Sequence, residues 1–437
     1  MPVDPQALLT KALRSGATQA EVFQINSKTL KIDVLDQKIE SIDNLQDGGL
    51  GLRVIDKEKR LGFAFATEPE EDLAEAALTN ARFTKSDEYN SFPAPFPSKS
   101  GEYFDPAIAA APLKQKIDLT MQVESSAYNY DKRVKKTEKI SYTDSETEVR
   151  MVNSNGLDIH YKTNHCGASA DVIAEAGSEA ESGLGISYVT RFADLKAKEV
   201  GEEAARRAGE LLGAKTISSQ KIPLVLDPLV GAQILGTLSP ILSSDSVQKG
   251  KSLFSGRLGK AVGSSLLVIL DNGKLENGIA SAPFDDEGTP SQETILIENG
   301  VLKSYLFNSY TAAKGETIST GNAKRSSYKS LPEVAPTNIY IKPGDKSSPD
   351  CRKGLYITRV MGMHMVNPIS GDFSIGAAGI MIENGEKTYP VRGITIAGNL
   401  TDLLKGIEVI CSDLRFVPFS ANLGSPTLLV NGLSISG

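Results

Sequence analysis

Near the start of the chain apolar residues recur at helical spacing, with Ala7, Leu8, Ala12 and Leu13 inside residues 5–15, and the period then shortens to two. A helix followed by strands is predicted. Residues 20–26 read as one strand, and Leu30, Ile32 and Val34 alternate with polar partners just beyond it. Segments 50–55 and 61–66 flank the polar DKEK turn as a hairpin, and Pro69 stands where a helix running through Ala81 would begin.

Residues 84–112 hold Pro93, Pro95, Pro97, Pro106 and Pro112 among Ser, Asp and Lys, which suits an extended surface crossing. A helix over 113–128 follows, then strands near 136–142, 146–153, 157–163, 166–176 and 184–190, with Asn155-Gly156 as a tight-turn signal. This order predicts an antiparallel meander. Residues 194–212 carry the strongest helical pattern, through Ala197, Ala204, Ala205, Ala208, Leu211 and Leu212, and Gly213 sits where a C-cap glycine belongs.

Beyond that helix strands dominate, at 222–226, 265–270, 293–297, 301–307, 337–344 and 355–360, with one helix over about 230–242. In 370–400, Gly376, Ala377, Ala378 and Gly379 leave almost no side-chain volume, so another backbone can approach closely. Residues 380–382, the turn Glu383, Asn384 and Gly385, and residues 389–391 make a hairpin that Ile394 and Ile396 continue. The whole predicts an α+β chain of two domains. An N-terminal α+β domain with an antiparallel meander covers 1–213, and a C-terminal β-dominated domain with a few helices covers 222–437.

A chain of 437 residues, 40% hydrophobic and 23% charged, is long enough for two domains with a sizeable core. Its net charge of −7 opposes any long-range attraction to phosphate, and the basic runs KEKR (57–60) and KRVKK (132–136) are short, so no direct nucleic-acid binding is expected. No apolar run approaches the roughly 20 residues that span a bilayer, and the N-terminus lacks a signal-peptide core. A cytoplasmic protein without membrane attachment is predicted. Cys166, Cys351 and Cys411 are too few and too scattered for a disulfide framework.

Candidate chemistry is sparse. His160 and His165 flank a possible ligand set with Cys166, but residues five apart on a strand point to opposite faces. His364 lies close in sequence to Asp372, a candidate general base or metal pair, although its three neighbouring methionines suggest a packed loop. Ser246…Lys249 and Ser326…Lys329 match SxxK, a pattern short enough to arise by chance. Asp285, Asp286 and Glu287, followed by Gly288, form the densest acidic cluster, either a hard-cation site or a glycine-terminated turn. GxSxG, Walker and GxGxxG patterns are missing, which removes support for acyl-hydrolase, NTPase and dinucleotide readings.

The segment GDFSxGAAGxxIENGEKxYPVxxITIAGNL, together with PFDDEGTPSQ (283–292), ENGVLKSYLFNSYTAAK (298–314) and STGNAKR (319–325), resembles the TldD/PmbA family, called modulators of DNA gyrase. The PmbA branch, also called TldE, fits best. In TldD-type members the helix over 230–242 carries HExxxH, which supplies two zinc ligands and a catalytic glutamate. Anchored on the shared KGxSxFSG, the resemblance puts Leu235 and Pro240 at the histidines and Gly236 at the glutamate. The family's cysteine ligand falls in FSANLGSPTLLV (419–430), which has no cysteine, and Cys411, at a small or polar position of the family pattern, reads as a packed thiol rather than a displaced ligand.

The resemblance therefore implies a non-catalytic subunit of a TldD/PmbA-type metallopeptidase complex that helps to bind and process unfolded peptides or small proteins. Its cofactor, zinc, would reside in a TldD-like partner, and the chain alone would form a homodimer. Two alternatives stand beside it: a metallopeptidase with a rearranged site around His364, Asp372, Asp285 or Asp286, and a non-proteolytic gyrase-related regulatory or binding protein.

Overall fold

The computed structural model describes residues 4–68, 72–96, 103–419 and 421–437, so Pro69 and Pro97 lie outside the described residues. Helix α1 (Pro5–Arg14) opens with proline, and the Asp4 carboxylate caps it by accepting from the Gln6 N–H at 3.2 Å. The N-terminal half then supplies β1 (Gln19–Leu35), β2 (Lys38–Ile55), β3 (Leu61–Ala66), β4 (Val134–Asn153), β5 (Asp158–Ala176) and β6 (Glu179–Val189). They make one antiparallel sheet in the order β3-β2-β1-β4-β5-β6. Two groups of helices cover it. α1 and α2 (Leu73–Ala81) pack around Val22, Leu52 and Val54, while α4 (Leu113–Tyr130) and α5 (Ala197–Gly209) pack around Ile32, Val34, Ile140 and Tyr142. A single turn of helix, α3 (Pro106–Ala110), inserts Ile108 into the second group.

The strands outrun the apolar alternation that predicts them. Segments 20–26 and 30–34 are parts of one strand of 17 residues, and the four strands expected between 136 and 176 are two, of 20 and 19 residues. Asn26, Ser27 and Lys28 interrupt the hydrophobic pattern, yet the ladder continues because β2 and β4 pair with β1 on both sides there.

The C-terminal half begins with β7 (Leu224–Leu226), α6 (Pro228–Leu238), α7 (Ser244–Gln248), β8 (Ile269–Asn272), β9 (Glu293–Glu298), β10 (Val301–Leu302) and α8 (Ser309–Lys314). Next come β11 (Ala323–Lys324), β12 (Glu333–Val334), β13 (Asn338–Ile341), β14 (Lys353–Met361), β15 (Asp372–Glu383) and β16 (Glu386–Asn399). The chain closes with α9 (Leu400–Lys405), β17 (Ile407–Ile410), β18 (Arg415–Pro418), β19 (Asn422–Ser425), β20 (Leu428–Val430) and β21 (Ser434–Ser436). Two sheets result, β10-β9-β8-β13-β19-β18 and β17-β20-β7-β14-β15-β16-β21, beside a β11-β12 pair. The fold class is α+β, as predicted.

Helix α6 lies between these sheets, against β13, β18 and β19 of one and β14 of the other. Asp227 caps its start by accepting from the Leu229 N–H at 3.0 Å. It ends at Leu238 rather than at 242 because Pro240 has no N–H to donate to the Gly236 carbonyl, which accepts from the Ser239 hydroxyl at 3.0 Å instead. Helix α5 is likewise shorter than 194–212, with a short 3₁₀ turn at Phe192–Asp194 before it. Most of the predicted strands at 265–270 and 301–307 lies outside the sheets: Leu267, Tyr305 and Leu306 reach the core from loops, Leu306 with only an isolated bridge to Ser243, a state that an apolar run alone does not distinguish from a strand.

The close-approach reading of the small-residue run holds at one end only. A Cβ on Gly379 would lie 2.1 Å from the Tyr356 carbonyl oxygen of β14, whereas one on Gly376 would first meet the Met361 side chain at 3.4 Å. The β15–β16 turn sits where expected, with Asn384 and Gly385 both at positive φ.

Candidate functional site

A cleft of about 650 Å³ opens between the two halves of the chain. Its walls come from β2 and β3, the 84–92 segment, Pro240 in the turn after α6, α7, and Tyr310 of α8. Beneath it lies a buried ionic network. Glu21 of β1 and Arg53 of β2 face each other in register, and the guanidinium donates Nε to Oε1 at 2.9 Å and Nη2 to Oε2 at 2.7 Å. From the other half, Glu287 accepts from Arg53 Nη1 at 3.0 Å, and Arg325 donates Nη2 to Glu21. The Arg53 guanidinium also lies 4.9 Å from the Phe92 ring centre, and that of Arg325 4.6 Å from that of Phe23.

The acidic turn closes this network. Asp285 accepts from the N–H groups of Glu287, Thr289 and Ala323 at 3.0, 2.9 and 3.0 Å. Asp286 accepts from the Arg325 N–H at 2.7 Å, and the second oxygen of Glu287 accepts from the Ser309 N–H at 2.9 Å. Burial opposes the charge on Arg53, but the carboxylates of Glu21 and Glu287 outweigh it and hold the group above its ordinary range. Arg325 is held lower, by burial and by the nearby Arg53 charge. Burial, reinforced by Glu287, pushes the Asp285 carboxyl well above the usual carboxylate range. These carboxylates are committed to protein donors, so the cluster is a buried strut between the halves rather than an open cation site.

At the outer side of the cleft the Tyr310 hydroxyl donates to Asp87 Oδ2 at 2.8 Å, and that bond, with partial burial, pushes the phenol up to about 12. Both partners are half-buried.

The other candidates are not brought together. Leu235 is fully buried in the core of the C-terminal half, Gly236 faces Leu423, and only Pro240 reaches the cleft. An aliphatic side chain, a glycine and a proline hold no atom that binds zinc, so the residues present do not fit the metal. Among the described residues no group of three or more His, Cys, Asp or Glu side chains is arranged to hold a metal ion.

The packed-loop expectation holds for Met363 and Val366, which pack on the core of the C-terminal half, but not for His364, which sits exposed on a 3₁₀ turn between the exposed Met361 and Met365. Gly362, at φ 85°, takes the left-handed backbone that opens the turn. Asp372 is engaged elsewhere: its carboxylate accepts from Asn399 Nδ2 at 2.9 Å, and its N–H donates to the Ser370 hydroxyl at 3.3 Å. His364→Ala should therefore leave the melting temperature within experimental error, and a drop of several degrees would return this residue to consideration.

His160 is exposed and bonded to Glu148 at 2.6 Å, whereas burial pushes the half-buried His165 imidazole below its ordinary range. Cys166 and Cys411 are buried thiols, Cys166 pushed up to about 12 chiefly by burial. Lys249 pairs with Asp245 at 2.8 Å, and the Ser326 hydroxyl bonds Ser330 at 2.9 Å, so neither SxxK match forms a serine–lysine pair.

Family models for the PmbA/TldA metallopeptidase match in sequence: domain 1 over residues 20–81, the central domain over 106–212, and the C-terminal domain over 219–437. The chain belongs to the PmbA/TldD family. The metalloprotease PmbA of Escherichia coli O157:H7 is 30% identical, over 97% of this chain and 94% of that one. A Thermotoga maritima crystal structure of a proposed modulator of a DNA gyrase superposes with a TM-score of 0.90 at 28% identity, covering 99% of both chains. TldE from Thermococcus kodakarensis has the same fold, with a TM-score of 0.91 at 21% identity over 99% of each chain. PmbA/TldD membership makes the protein metallopeptidase-related, and relatives named metalloproteases point to metal use within the family. Among the described residues, no helix is long and apolar enough to cross a membrane.

The sequence reading found the acidic turn but missed its partners Glu21, Arg53 and Arg325. A signal was present: AEVF and GLRVI each set a charged residue among apolar strand neighbours, on a chain that must bury that face.

Proposed function

We propose that this chain is the non-catalytic, PmbA-like subunit of a TldD/PmbA-type metallopeptidase complex. It pairs with a zinc-bearing TldD-like subunit in the cytoplasm, encloses part of a shared cavity, and presents unfolded peptides or small proteins as an added strand. Without that partner it forms a homodimer, since related subunits can cover each other's surfaces. The domain division near 213–221 belongs to the same reading. The observation that carries it is α6 and the turn just after it, where Leu235, Gly236 and Pro240 occupy the positions that the family resemblance gives to the zinc ligands and the catalytic glutamate.

The test is reconstitution. The purified chain should contain no stoichiometric zinc and cleave no unfolded peptide, and adding a TldD-like chain should yield a heterodimer that does both. One tightly held zinc per chain, by elemental analysis of the protein alone, overturns the reading. Leu235→His, Gly236→Glu and Pro240→His together should not restore cleavage. An imidazole at 235 would be buried among apolar side chains, and a Cβ at 236 would lie 2.8 Å from Leu423 Cδ1. Full activity from the triple variant would refute this account of α6.

A further inference from the structure

We propose that the Tyr310–Asp87 hydrogen bond is a gate across the mouth of the inter-half cleft, released to admit an extended polypeptide segment. The nature of that occupant rests on the function proposed above; the gate itself rests on geometry. Tyr310 stands on α8, whose start is fixed by a reciprocal cap in which Asn308 Oδ1 accepts from the Thr311 N–H at 2.9 Å and Thr311 Oγ1 accepts from the Asn308 N–H at 3.1 Å. Asp87 stands on a turn tied to the opposite half, where the Lys59 carbonyl accepts from the Asp87 N–H at 3.1 Å and from Asn90 Nδ2 at 2.9 Å.

Each partner is thus held firmly by its own half, and the 2.8 Å bond between them spans the gap. The floor and the rim of the cleft then differ in kind. Separating Arg53 from Glu287 or Glu21 from Arg325 strands buried charges, whereas separating Tyr310 from Asp87 leaves two half-exposed groups that water can satisfy. The rim opens first, with the floor as pivot. Along the cleft, Leu61, Phe92 and Val334 offer apolar wall, and Ser243 and Asn308 offer polar atoms, a mixture suited to side chains and main chain of an extended segment.

The gate is tested on the full-length chain carrying Cys351→Ser, with Ser246→Cys as a reporter inside the cleft and the buried Cys166 as an internal control for unfolding. Tyr310→Phe keeps the ring and removes the bond, and should raise the rate of bulky-maleimide labelling at position 246 roughly tenfold while Cys166 stays unreactive. Asp87→Asn, a weaker acceptor, should give a smaller increase. Unchanged labelling in both variants, or labelling that rises only together with that of Cys166, overturns the gate. A fluorescent unfolded peptide supplies the second arm. Faster labelling with tighter peptide binding supports gate and occupant together, and faster labelling with unchanged peptide binding keeps the gate and overturns the peptide as what passes it.

Discussion

Glu21→Ala is expected to remove roughly 3–5 kcal/mol of folding stability, because it leaves two guanidinium groups buried with too little opposite charge. Glu21 is completely buried and accepts from Arg53 through both oxygens and from Arg325 through one, so a single truncation strips a partner from each arginine. Arg53 and Arg325 are themselves only 5% and 4% exposed, so bulk solvent can replace little of the lost contact. Native stabilities are only about 5–15 kcal/mol, so the loss would be a large share of the total. Urea unfolding at neutral pH measures it, and a change below about 1 kcal/mol would show that the network is worth no more than an exposed pair. The damage should also loosen the halves from each other, because Arg325 and Glu287 belong to the C-terminal half while Glu21 and Arg53 belong to the N-terminal sheet.

Gly379→Val should prevent accumulation of soluble protein, while Gly376→Val is tolerated. A Cβ at 379 would stand 2.1 Å from the Tyr356 carbonyl oxygen, which belongs to the backbone of the neighbouring strand and cannot rotate away. Overpacking of a core typically costs about 1–3 kcal/mol when side chains can give, and here the obstacle is a ladder in the middle of a seven-stranded sheet, so the cost should exceed that range. At 376 the first obstacle is the flexible end of Met361 at 3.4 Å, which can swing into solvent. Soluble yield and melting temperature decide the matter. Equal behaviour of the two variants would refute the close strand approach at Gly379.

Side-chain periodicity is a local property, so the amino-acid sequence by itself determined that helices lie within about 113–128 and 194–212, though not their exact ends, as well as the hairpins about Asn155-Gly156 and Asn384-Gly385 and the α+β class. It also determined that the α6 positions carry no zinc-binding atom, since that depends on residue type alone. Strand length was decided by the tertiary structure, because Asn26, Ser27 and Lys28 remain extended only through neighbours on both sides. The same holds for the two glycines, whose identical lack of side chain means opposite things once β14 lies beside one of them. The site is the clearest case. Glu21, Arg53, Glu287 and Arg325 come together across separations of up to 304 residues, and a carboxylate read alone as turn or cation ligand becomes a strut only when folding brings a guanidinium to it and excludes water from both.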